Sequence, residues 1–188
     1  MSIHIENSST NTSSSTSFSV FDDVLKGEAL LVTNKDSTQI QNIIAKAMAY
    51  PMEKVTRHYM SEYDICAEVA VTRERELKRF LAICAIYHDP IGMRGSVDEL
   101  WHSFIIFTED YASFCEQVAG QFIHHLPNDE SSEKSVSLIS ALRFNMAYES
   151  LFNTTPPADV WPLLSSNSVL ICGKGCVSRC GRFTTNRS

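Results

Sequence analysis

The sequence predicts an all-α protein, a single-domain helical bundle, on three observations. Apolar residues recur every three to four positions along several stretches. No stretch alternates apolar and polar residues over six positions, as a half-buried strand would. Hydrophobic residues make up 44% and charged residues 20% of 188, with Gly and Pro sparse at 7 and 6, a globular balance with room for one core. Helices joined by short loops and lacking strands pack as a bundle.

The elements follow in chain order. Residues 1–17 are dominated by Ser, Thr and Asn and bury almost nothing, so a disordered segment is expected, with the helical domain spanning 18–164. Phe18, Val20 and Phe21 form a small apolar patch where that domain begins. From about 37 to 50, Ile40, Ile43, Ile44 and Ala47 hold helical spacing, and Pro51 interrupts that helix or opens the next. A longer helix is predicted over about 64–87, with Leu77, Phe80, Leu81 and Cys84 on one face. Arg73, Glu74, Arg75, Lys78 and Arg79 form its other face, read as solvated, with Glu74 and Lys78 an exposed pair. Asp89-Pro90, Gly92 and Gly95 mark a turning loop, after which Ser96 and Glu99 read as a capping box. The helix it opens carries Val97, Leu100, Trp101, Phe104, Ile105, Tyr111, Phe114, Cys115 and Val118 on its apolar side, as far as Gly120. A last helix covers about 132–152, with Leu138, Ile139, Leu142, Met146 and Leu151, and Thr155-Pro156-Pro157 stops it. Residues 165–188 read as a polar tail bearing Gly and Cys.

Composition excludes several function classes. A formal net charge of −6 gives no general attraction to nucleic acid or anionic lipid. No apolar run approaches the roughly 20 residues a membrane helix needs, and the first residues carry no basic, apolar leader. Cys66, Cys84 and Cys115 are expected as small buried thiols, and a cytoplasmic location follows. Cys172, Cys176 and Cys180, near Lys174, Arg179 and Arg182, read either as incidental thiols of a disordered tail or as soft-metal ligands; their spacing is not a standard zinc pattern.

The chemistry-bearing constellation lies along the central helix. At about 100° per residue, Asp98, His102 and Glu109 fall within about 40° of one another. Asp98 and His102 are four apart, so both side chains can reach one ion or each other. His124 and His125 follow the helix and His88 precedes it. Imidazole with carboxylate suits Zn, Fe, Mn or Cu. The competing reading is an ordinary polar helix face. Phe104 to Phe107 is apolar almost all round, however, which predicts a helix enclosed on more than one side and His102 partly buried.

Asp98-Glu99-Leu100-Trp101-His102, with Phe107-Thr108, Asp110-Tyr111, Phe114-Cys115, Gly120, Phe122 to Pro127 and the later Pro156-Pro157-Ala158-Asp159-Val160-Trp161-Pro162, resembles the glycine-rich domain-containing protein family. The resemblance runs over about 64–162 and implies a helical domain without an established reaction. It departs at Phe104, where relatives carry a second histidine, and in the tail, where relatives are richer in Gly and Cys.

Two functional readings follow. In the first, one transition-metal ion is held by His102 and by His124 or His125, with Asp98 as ligand or as the partner orienting His102, and Glu109 and His88 as lesser members. Such a protein would serve as an accessory metalloenzyme acting on a small molecule or peptide. In the second, the protein is a cofactor-free interaction module that contacts a protein partner through its termini.

Overall fold

A computed structural model describes residues 31–127, 134–162 and 176–180. The expected disordered head, the patch at Phe18, Val20 and Phe21, and Cys172 lie outside the described residues. The described chain is mostly helical, as the periodicity predicts: α1 Ser37–Ala49, α2 Glu53–Tyr63, α3 Ala67–Ile86, α4 Val97–Ile106, α5 Thr108–Phe114 and α6 Lys134–Phe152. A single π-turn, Cys115–Ala119, continues α5 and ends at Gly120 in the left-handed conformation (φ 67°). No described helix is long and apolar enough to cross a membrane.

Helix α3 runs through the middle, with α1, α2, α4 and α6 packed on it. Phe80 from α3 meets Trp101 of α4 at 5.3 Å, while Phe144 of α6 lies 4.3 Å from Trp161 beyond it. Because neighbours surround α3, its charged side is not simply solvated: Glu76 is fully buried and Lys78 nearly so. Glu74 and Lys78 form the expected pair at 2.7 Å, but under cover. Glu76 accepts from Arg79 (3.1 Å), Tyr148 Oη (2.9 Å) and Trp161 Nε1 (3.0 Å), which gives the buried carboxylate the partners its charge requires.

Three local expectations are corrected. The capping box belongs to α1, where Asp36 and Gln39 exchange side-chain and backbone bonds at 2.9 Å; Ser96 makes no side-chain cap, and α4 instead carries Asp98 and Glu99 in its first turn, where the helix dipole favours them. The central helix breaks at Phe107 (φ −82°, ψ 68°), so α4 and α5 are separate. After Pro51 a separate helix, α2, follows, the second of the two readings of that proline. Cys66 is exposed, at the entrance to α3, while Cys84 and Cys115 are buried as expected.

A three-stranded antiparallel sheet accompanies the helices, ordered β1 (Ile91–Gly92), β3 (Cys176–Cys180), β2 (Ile123–Pro127). Its register pairs Ile91 with Ser178 and His125 with Ser178, so β3 is the middle strand. Part of the expected tail is therefore a strand. With two to five residues each, these strands are too short for alternation to register.

Candidate metal centre

Helix α4 supplies Asp98 and His102 one turn apart, and β2, which follows α5 in the chain, supplies His125. One donor atom from each of the three lies within 4.8 Å of the others. His125 Nε2 is 3.2 Å from Asp98 Oδ1, and His102 Nδ1 is 3.7 Å from Asp98 Oδ2. The two imidazole rings approach at 4.4 Å. Ligands at about 2.0–2.2 Å from a tetrahedral ion sit about 3.3–3.6 Å apart, so the Asp98–His125 pair already has ligand spacing, and His102 would have to draw in from within the 4.8 Å group.

Burial grades across the group. The His125 side chain is 8% exposed and that of Asp98 15%, whereas His102 is 51% exposed. His102 is thus more open than the sequence suggests, because Ile106, one turn beyond it, also faces outward. The group has a covered floor and an open mouth. Trp101 forms part of the floor, its ring 4.4 Å from that of His125.

Two hydrogen-bond systems fix the parts. His102 Nδ1 lies 2.7 Å from the main-chain oxygen of Asp98. Trp101 Nε1 donates to Tyr111 Oη at 3.1 Å, and Tyr111 donates to the Ile123 carbonyl at 2.6 Å, two residues before His125. Burial pushes the Tyr111 phenol and the neighbouring Cys115 thiol upward, so both stay protonated. That chain ties α4 and α5 to β2. Trp101 and Tyr111 read in the sequence only as apolar-face residues, and nothing in the periodicity marks them as positioners. Nearby, burial raises the Tyr63 phenol, and the charges of Glu62, Glu99 and Asp98 raise it further.

The other expected members lie elsewhere. His124 is in β2, where successive residues face opposite ways, and its ring packs 5.0 Å from Phe122. Glu109 is exposed on α5; the break at Phe107 removes it from the stripe that a continuous helix would have made. His88 is exposed in the loop before β1. Neither joins the three-residue group.

Fold and site define a mostly helical protein with a group of two histidines and one carboxylate able to hold a metal ion. The chain belongs to the UCP032817-like family, whose match covers residues 40–160, more than half the chain and all three grouped residues. This corrects the resemblance to the glycine-rich domain-containing proteins. Several residues that carried it, among them Trp101, Phe114, Cys115 and Trp161, are buried core positions, and shared packing residues are weak evidence of kinship. No curated protein and no solved structure matches the chain.

Proposed function

We propose that this protein binds one divalent transition-metal ion through Asp98, His102 and His125 and presents it to a small-molecule or peptide ligand at the open side of the site. The observation that carries this reading is the meeting of three donors from two elements within 4.8 Å, with one imidazole half exposed. Two histidines and a carboxylate form the donor set of non-haem iron(II) centres, and a similar set with one open position serves catalytic zinc. Three protein ligands leave coordination positions for water or an exogenous ligand, which the exposed flank of His102 and Ile106 would admit. The reading places the protein in the cytoplasm, as an accessory metalloenzyme, with Cys66, Cys84 and Cys115 not engaged in disulfides.

Elemental analysis of untagged protein purified without chelators, beside the His102→Ala and His125→Ala variants, tests the proposal. Near-stoichiometric metal in the parent and its loss in both variants is the expected result. A parent that stays metal-free and takes up none of Zn, Fe, Mn or Cu on reconstitution would overturn it. The three residues would then be a hydrogen-bonded cluster, leaving the cofactor-free interaction module as the better description.

A further inference from the structure

We infer that metal binding at Asp98, His102 and His125 is thermodynamically linked to docking of the C-terminal strand β3, an inference that rests on the metal reading above. Asp98 and His102 are set by α4. His125 is different: it sits in the middle of β2, a five-residue strand whose sheet partner among the described residues is β3. The rungs run from Ile123–Cys180 through His125–Ser178 to Pro127–Cys176. On its other edge β3 pairs with β1, Ile91 opposite Ser178 and Gly92 opposite Val177. Strand β1 is itself firmly seated. Ile91 is fully buried, and Gly92 lies so close to α6 that an added Cβ would stand 2.9 Å from Ser140 Oγ and 3.0 Å from the Ala141 nitrogen.

Strand β3 therefore ties the ligand-bearing strand to a fixed one. The Tyr111 bond to the Ile123 carbonyl holds the first residue of β2, and Asp98 and Trp101 meet the His125 side chain. An isolated short strand is unstable in water, so the β2 backbone that carries His125 also needs the ladder. The metal would strengthen the tie of β2 to α4, and β3 ties it to β1. Each constraint spares the other part of its ordering cost, and the coupling is necessarily reciprocal.

The test uses the full chain and Zn(II). Ser178 occupies the rung shared by Ile91 and His125. Proline has no N–H and is excluded from central strands, so Ser178→Pro removes one ladder hydrogen bond and disfavours the strand at the middle position, while Ser178→Ala keeps the backbone donor. The zinc Kd is expected to rise about tenfold or more in Ser178→Pro and to stay within about twofold in Ser178→Ala. Reciprocally, zinc should slow amide exchange over 176–180 in the parent and not in His125→Ala. Equal zinc affinity in Ser178→Pro and the parent, or unchanged exchange over 176–180, overturns the linkage and leaves the metal site standing. A parent that binds none of Zn, Fe, Mn or Cu overturns both. Should Ser178→Pro fail to fold, the exchange measurement on the parent decides alone.

Discussion

His102 Nδ1 lies 2.7 Å from the main-chain oxygen of Asp98, one helical turn earlier. A carbonyl oxygen only accepts, so Nδ1 carries the proton and the lone pair rests on Nε2, the form in which a histidine binds a metal. Asp98 thus serves twice: its backbone orients one imidazole, and its carboxylate stands 3.2 Å from the other, His125. The two roles separate on substitution.

Asp98→Asn keeps the main-chain carbonyl, and with it the His102 orientation, but removes the charge. The fold should persist, with the urea midpoint nearly unchanged, while the zinc Kd rises roughly tenfold or more. Competition against a chromophoric chelator measures it. Equal affinity in parent and variant would mean that the carboxylate is not a ligand.

Tyr111→Phe addresses the buried chain from Trp101 to Ile123. Losing the hydroxyl leaves the Trp101 indole N–H without its acceptor and the Ile123 carbonyl without its donor, both at buried residues. Such losses cost about 1–3 kcal/mol each way they are counted, and urea unfolding should show a reduction of that order. Because Ile123 opens the strand carrying His125, zinc affinity should fall as well. A variant that loses stability but binds zinc like the parent would confine Tyr111 to a structural role.

Much of this fold is legible in the sequence, and what is not has a physical reason. The apolar spacing of Ile40, Ile43 and Ala47, or of Phe80, Leu81 and Cys84, reports helices directly because those positions face one core. Phe107 escapes the same logic: periodicity carries on through a one-residue break, so the spacing aligns Glu109 with His102 while the break leaves it outside the group. The pairing of Asp98 with His102 is local and readable at a spacing of four. The arrival of His125, and the departure of His124, depend on β2 being a strand, and five residues beginning Ile-His-His carry no alternation to say so. Glu76 is invisible for another reason. Within Arg-Glu-Arg-Glu-Leu-Lys-Arg it looks like one more solvated charge, and only the arrival of Tyr148 and Trp161 from distant sequence makes it interior.

Glu76→Ala tests that hidden centre. The substitution strands the Tyr148 hydroxyl and the Trp161 indole N–H and deprives Arg79 of its carboxylate. Breaking a buried, hydrogen-bonded ion pair from one side costs about 3–5 kcal/mol, against about 0.5 kcal/mol or less for an exposed control such as Glu109→Ala. Urea denaturation of both variants makes the comparison. Similar losses in the two would show that Glu76 holds nothing together.

The same centre sets the alkaline limit of the fold. Burial, reinforced by the adjacent Glu76 carboxylate, pushes the Tyr148 phenol up to about 12. In the unfolded chain a tyrosine ionises near 10. Below about pH 10 both states hold the proton and stability is at its full value. Between about 10 and 12 the unfolded state sheds the proton and the folded state keeps it, so stability falls as pH rises through that window. Tyr111, raised by burial within its own aromatic surroundings, adds to the decline in the same direction. Urea unfolding at pH 8, 10 and 11.5 should show a loss confined to the upper interval, with a shallower slope in Tyr148→Phe, which has no proton there to lose. An identical slope in parent and variant would mean that Tyr148 does not set the alkaline limit.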